Sequence, residues 1–485
     1  MVPTLRPSVH FLSDTLLKSI VDESYLLLER VGVFVEHAEA INLLRQAGAR
    51  VEGGSRRVFI PAGLVEHALE TAPHSIKMFS ADEETSFHVG GDEVHFDPGS
   101  AALRIFDHGL QAERTPGVND LVRFHGLIQL LENFHLQSTG LISGDVPESI
   151  SDCHRLSVAL QYCTKPIVTG LFTVKGFKPM FEMLTAVRGG AAALREKPLA
   201  IFDACPSPPL QWSSLTTQSL IDCARAGIPS ELVAMPLTGA TAPATLSGAL
   251  VQLTAENLAG VVITQLAMPG APVIFGGSPA CFDMHAASPP MGSIETMMID
   301  AAYSQIGKSL GLPTHAYTGL SDSKCVDAQA GLETGMGAVL GALSGINVIS
   351  GGGMMNYEST QSLEKLVLDN DICGMAYRMI SGISQRDEPI ALDLYPEPGC
   401  EIEFLTHPHT LQWHALEQRY PHVINRDGYD QWVQSGKPTA ADQAARRVAE
   451  LLGGDVHPVI SNDLQRELND IMQSHAKHLD VNLGG

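Results

Sequence analysis

The stretch Leu199-Ala200-Ile201-Phe202-Asp203-Ala204-Cys205 decides the fold. It is a short apolar β-type run, followed by the break Pro206-Ser207-Pro208-Pro209 and then by a helix-length amphipathic stretch at about 213–225. Read outward from it, the same unit recurs along the chain. The apolar runs are Val94–Phe96, Phe134–Thr139, Ile167–Leu171, Leu199–Ala204, Leu232–Leu237, Val273–Phe275, Thr314–Tyr317 and Asn347–Ser350. Helical stretches at about 117–131, 149–161, 178–189, 213–225, 244–268, 293–310, 326–343 and 361–380 connect and follow them. Strands alternating with helices at this spacing read as an α/β protein, a TIM (β/α)8 barrel with right-handed crossovers.

Barrel enzymes build their sites from the loops after the strands, so polar residues just past each run mark the working face. The densest such segment is His315-Ala316-Tyr317-Thr318-Gly319-Leu320-Ser321-Asp322-Ser323-Lys324-Cys325-Val326-Asp327-Ala328-Gln329.

The 485 residues accommodate one barrel of about 250 residues with terminal additions. From Ser13 to Ala47 apolar residues recur at helical spacing, which predicts a helical N-terminal lobe over 1–74. Residues 75–383 are expected to hold a β-meander and the barrel, and 384–485 a C-terminal extension packed on it. Lys and Arg total 31 against 54 Asp and Glu, a net charge of −23. With no basic run long enough to follow a phosphate backbone, nucleic acid is not an expected partner. The long apolar stretch Leu246–Met268 is interrupted by Gln252, Glu256, Asn257 and Gln265, so it reads as a buried helix and no membrane span is expected. Eight scattered cysteines without CxxC spacing, and no signal peptide before them, lead to the expectation of a reduced cytoplasm.

Three constellations carry candidate chemistry. Gly351-Gly352-Gly353 follows the eighth run, where barrels often seat a phosphate, but the loop has no Lys or Arg before Lys365. Close backbone approach to a bulky ligand and plain loop flexibility are the other readings. Cys205, Cys281 and Cys325 lie near strand ends with His285 and His315 nearby. Three thiolates meeting there would hold zinc, although their different strand offsets argue against convergence. The run with Asp322, Lys324, Asp327 and Glu333 sits on the catalytic face. Its structural alternative is that Ser321–Ser323 cap a helix, Asp327 pairs with Lys324 and Glu333 meets solvent. Phe96, Phe202, Phe275, Phe282, Tyr317 and Tyr357 also collect near strand ends; aromatic faces beside a carboxylate such as Asp97 or Asp203 form a cage for a quaternary ammonium, and core packing explains most of them equally well.

These residues resemble the trimethylamine methyltransferase family of corrinoid-dependent methyltransferases, in the branch that lacks pyrrolysine. The similarity rests on Tyr317 to Lys324, Asp327 to Glu333, Gly345-Ile346-Asn347 through Gly353, Leu366 to Asn370, Phe404 to Thr410, Gly32 to Glu36, and Met291 to Glu295. Founding members carry pyrrolysine and demethylate trimethylamine, whereas this chain uses only the standard residues.

The resemblance implies methyl transfer from a quaternary amine, typified by glycine betaine, with proline betaine and carnitine as further substrates, to the cobalt(I) of a separate corrinoid protein. No tightly bound cofactor or metal is expected, and a homo-oligomer is. Expelling a neutral tertiary amine needs no general acid, so the protein has only to bind, orient and desolvate. Asp322, Lys324, Asp327 and Glu333 are the expected catalytic residues. Phe96, Asp97, Phe202, Asp203, Phe275, His315, Tyr317, Ser321, Gln329 and Tyr357 are expected to hold substrate. Gly351, Gly352, Gly353, His407 and His409 are expected at the rim facing the corrinoid. The alternatives are a zinc-dependent methyltransferase and a barrel that binds betaine without turning it over.

Overall fold

The computed structural model describes residues 4–395 and 401–481, and Cys400 lies outside them. Eight short parallel strands run through its centre: β1 (His95–Pro98), β2 (Gln137–Ser138), β3 (Ile167–Gly170), β4 (Ala200–Ala204), β5 (Ser230–Ala234), β6 (Val273–Gly277), β7 (His315–Ala316) and β8 (Val348–Gly352). One sheet has the order β6-β5-β4-β3-β2 and a second the order β7-β8-β1. The sheets touch at both seams. At one, Phe275 N–H donates to Pro313 O (2.8 Å) and Phe275 bridges Thr314. At the other, His135 N–H donates to Phe96 O (3.0 Å).

Each strand is followed by a helix near its predicted place, as the parallel order requires. The longest, Leu246–Ala267, starts at Thr245, whose hydroxyl accepts Gly248 N–H. It is apolar all round and long enough by composition to cross a membrane, yet most of it is buried. Its outer side is covered by the N-terminal helices Asp14–Arg30 and Ala62–Thr71, and Ser24 Oγ donates to Val251 O at 3.0 Å. An apolar stripe on two sides therefore reflects two protein layers.

Two expectations need revision. The N-terminal lobe is not purely helical, because Val33–Val35 pairs antiparallel with Arg57–Phe59 and parallel with Gln211–Trp212 beyond β4. The meander splits into two hairpins with different duties. Ser75–Phe79 and Ser86–Gly90 pair before β1, while Arg104–Asp107 and Ala112–Arg114 pair after it. The first hairpin plugs the interior: Ile76, Met78 and Val89 pack with Leu136, Val168, Ile201, Ile274 and Val348. At about 1.5–3 kcal/mol for each fully buried side chain, this layer closes the strand N-terminal end to water.

In the C-terminal extension, Ala440–Leu452 packs on the helices Leu363–Ile380 and Val118–Leu130, and Asn462–His478 packs on Phe177–Arg188 and Ser151–Tyr162. The extension does not begin over the strand C-terminal ends. Arg378, in the last turn of the helix that leaves β8, binds Glu417 (3.0 Å), and Arg419 binds Glu132 (2.9 Å). Both pairs lie where helices return to the strand N-terminal side.

Candidate active site

Two residues beyond the apolar plug, the same inward face of each strand turns polar or small, because side chains alternate with period two. Leu136 is followed by Ser138, Val168 by Gly170, Ile201 by Asp203, Ile274 by Gly276 and Val348 by Ser350. Asp97, Glu231 and His315 join this layer. His315 fits because Gly276 has no side chain: a Cβ there would meet His315 Nδ1 at 2.9 Å.

A buried chain of polar groups follows. His315 Nε2 lies 2.8 Å from Ser350 Oγ, and Ser350 Oγ donates to Asp97 Oδ1 in a short bond. His315 Nδ1 is 3.1 Å from Glu231 Oε1, off the line of a directed hydrogen bond. Burial holds His315 neutral, with its pKa down at about 3. Burial and the neighbouring acid groups raise Glu231 well above the usual carboxylate range, and Asp97 likewise.

Above this layer a cavity of about 310 Å³ opens at the strand C-terminal ends, its walls including Asp203, Tyr317, Glu358, Arg155, Phe172 and Met235. Phe172 and Met235 are 47% and 37% exposed, so the cavity reaches solvent past an apolar rim. Tyr317 is buried, its hydroxyl 3.3 Å from Ser100 Oγ and its ring edge-on to His315 at 4.9 Å. Desolvation raises the Asp203 carboxyl to about 7 and the Glu358 carboxyl to about 8. Glu358 sits on the turn between Met354–Met355 and Thr360–Gln361. Asn356, Tyr357 and Glu358 all have left-handed φ values, 50°, 56° and 62°, which cost roughly 1–2 kcal/mol each. The turn is held by Asn356 N–H to Ser323 O (3.1 Å) and by Glu113 Oε1, which accepts from Asn356 Nδ2 (3.1 Å) and Thr360 Oγ1 (2.6 Å). Ser278 Oγ reaches Glu358 Oε1 at 3.4 Å.

Of the expected substrate residues, Asp203 and Tyr317 line this cavity, while Asp97 and His315 lie buried beside it. Phe96, Phe202 and Phe275 do not face it. They occupy the alternate strand face and pack outward on Tyr377 (5.2 Å), Phe177 (6.1 Å) and Tyr303 (6.4 Å). Tyr357 lies under the ammonium of Lys324 (4.3 Å).

The expected catalytic run instead fixes its own loop. Asp322 accepts Met291 and Gly292 N–H (3.1 and 2.8 Å). Glu333 accepts Ser321 Oγ, Asp322 N–H and Gln329 Nε2 (2.6, 2.8 and 2.9 Å). Asp327 caps the helix Ala328–Leu343 by accepting Ala330 N–H, and Lys324 Nζ donates to Asp322 O (2.7 Å). None of Ser321, Asp322, Lys324, Asp327, Gln329 or Glu333 reaches the cavity wall.

The rim residues are displaced as well. Gly351, Gly352 and Gly353 are buried, and side chains there would collide with Leu320, Phe134 and Gln361. His407 and His409 sit at the far end, His409 3.2 Å from Asp387. Cys205 lines the cavity without Cys281 or Cys325, and among the described residues no three metal-binding side chains converge.

Sequence reasoning missed Arg155, Glu358, Glu231 and Phe172. Glu231 had a signal, an acid inside the short apolar run Ser230–Ala234. Arg155 had a weaker one, a lone cation on the largely buried helix Ser151–Tyr162.

The fold is similar to that of the monomethylamine methyltransferase of Methanosarcina barkeri, with a TM-score of 0.55 at 11% identity over 92% of this chain and 89% of that one. In sequence the chain is 30% identical to a trimethylamine methyltransferase of Desulfitobacterium hafniense over 91% of its length and 88% of the relative's. It is 28% identical to a glycine betaine methyltransferase of the same species over 98% of its length and 99% of the relative's. These likenesses define the class, a methyltransferase. A family model described as trimethylamine methyltransferase (MTTB) matches residues 2–479, and the chain belongs to that family.

Proposed function

We propose that this protein moves a methyl group from a quaternary amine, glycine betaine foremost, to the Co(I) of a separate corrinoid protein, from the centre of a closed (β/α)8 barrel. The observation that carries the reading is the cavity in which Asp203, Glu358 and the Tyr317 ring meet. A methylammonium group carries a diffuse charge with no proton to donate, and it is matched by aromatic faces and carboxylates. The similarity to a glycine betaine methyltransferase supports the same substrate class.

In the reaction, the N–C bond breaks as the C–Co bond forms. The nitrogen keeps the bonding pair and leaves as a neutral tertiary amine, so the protein supplies position and a dry site. Entry of the cation favours the ionised forms of Asp203 and Glu358, so part of their proton load leaves as substrate binds. Because positive charge departs from nitrogen in the transition state, a strong grip on the cation would slow the step, and moderate affinity is expected. The exposed Phe172 and Met235 at the mouth suit contact with the corrinoid carrier. The free thiols of the described cysteines suit a reducing cytoplasm.

The test is anaerobic spectroscopy of purified protein with Co(I) corrinoid and its carrier. Methyl-corrinoid formation with glycine betaine, proline betaine or carnitine supports the proposal. Binding of these without methyl-corrinoid formation would replace it with a binding barrel.

A further inference from the structure

Arg155 is 1% exposed and forms part of the cavity wall. One guanidinium nitrogen, Nη1, donates to Thr139 O (2.9 Å) and Thr139 Oγ1 (3.3 Å), while Nε and Nη2 have no partner. Among the described residues no carboxylate oxygen comes within the 4.0 Å of an ion pair. A buried guanidinium with two unsatisfied donors is costly unless something completes it.

The surroundings hold it in that state. Its carbon lies 4.6 Å from the Phe172 ring centroid, which covers one face of the fork. Asp152, three residues earlier on the same helix, does not pair with Arg155. Its Oδ2 accepts Phe172 N–H (3.1 Å), Thr173 N–H (3.2 Å) and Thr173 Oγ1 (3.3 Å), which keeps Phe172 in place. Asp203, Glu358 and Tyr317 line the same wall, and Arg155 and Asp203 are near enough for each to favour the other's charged form.

We infer that Arg155 is a specificity-determining residue that binds the carboxylate of a zwitterionic methylammonium substrate. The inference rests on the reading of this cavity as a quaternary-amine site. A guanidinium fork suits a planar carboxylate through paired N–H donors. Arg155 also repels a substrate that carries the ammonium alone, so the cavity selects for the zwitterion by attraction and against simple cations by repulsion.

Calorimetric binding of glycine betaine, choline and tetramethylammonium tests it on the wild-type protein and on Arg155→Gln. Wild type is expected to prefer glycine betaine to choline by at least about tenfold, the value of one charge-assisted pair. In Arg155→Gln, betaine affinity is expected to fall about tenfold or more while affinity for choline and tetramethylammonium holds or rises. A merely structural role would weaken all three together, and that result overturns the inference. If Arg155→Gln does not fold, the wild-type series decides, and equal binding of choline and betaine overturns it. Failure of wild type to bind any of the three removes the quaternary-amine reading itself, and this inference with it.

Discussion

His315 Nδ1 and Glu231 Oε1 lie 3.1 Å apart with both side chains fully buried. The other ring nitrogen, Nε2, is hydrogen-bonded to Ser350, which is bonded in turn to Asp97. Burial holds His315 neutral and raises Glu231 well above the usual carboxylate range, so Glu231 is the proton holder of the pair. Glu231→Gln keeps both shape and neutrality, and is expected to change unfolding free energy by less than about 1 kcal/mol. His315→Ala removes the ring's hydrogen bond to buried Ser350 and leaves a cavity at a fully buried position, and is expected to cost about 3 kcal/mol or more. Denaturant titration of the two variants checks the contrast, and a large loss in Glu231→Gln would show an ionised pair instead.

The raised carboxyls set the sign of the pH dependence. Folded Asp203 and Glu358 keep protons up to about 7 and about 8, against ordinary values of 3.8 and 4.5. Between those limits the folded protein binds more protons than the unfolded chain, so this contribution to stability is lost as pH rises. The Tm of ligand-free protein is expected to fall from about pH 5 to about pH 8.5. A saturating quaternary amine should raise Tm more at the alkaline end, where the carboxylates are ionised. Thermal scans with and without ligand check both slopes, and a ligand shift larger at pH 5 would contradict them.

Space for the imidazole depends on Gly276. A methyl group there would meet His315 Nδ1 and Leu232 O, both at 2.9 Å. Gly276→Ala is expected to destabilise by about 1–3 kcal/mol and to weaken substrate binding through the displaced His315–Tyr317 contact. Unchanged stability with unchanged binding would show that β6 can move aside.

The loop after β7 is predicted to be structural. Asp327→Ala loses a helix cap and is expected to cost about 1 kcal/mol. Asp322→Ala leaves the Met291 and Gly292 N–H groups unpaired, for about 1–3 kcal/mol. Ligand affinity of the folded variants should remain within about twofold of wild type, well under the factor of ten that 1.4 kcal/mol represents. Normal stability with abolished methyl transfer would return this loop to the catalytic machinery.

How much of this was legible follows from what each signal measures. The strand and helix succession was readable because hydrophobic runs and breaks are local, and Leu199–Ala204 needed only one residue of trimming to become β4. The inward face was readable in principle, since Ile201 and Asp203 share it while Phe202 points away. Choosing the aromatics near strand ends put composition ahead of that alternation and assigned Phe96, Phe202 and Phe275 to the wrong side. The polar run from Ser321 to Glu333 resembled a site because loops on the catalytic face need many hydrogen bonds to hold their shape. Arg155 was hidden by distance along the chain: nothing local to Ser151–Tyr162 shows that its side chain meets a cavity with Asp203 and Glu358. His407 and His409 were misplaced because the direction of the chain after Ile380 is set by tertiary pairs such as Arg378 with Glu417.

The most direct test of the central claim is a crystal structure of the protein with glycine betaine. The trimethylammonium group is expected inside the cavity, within about 6 Å of the Tyr317 ring and beside Asp203 and Glu358. Betaine bound instead against Tyr357 and Lys324, or a cavity that stays free of it at saturating concentration, would contradict the account.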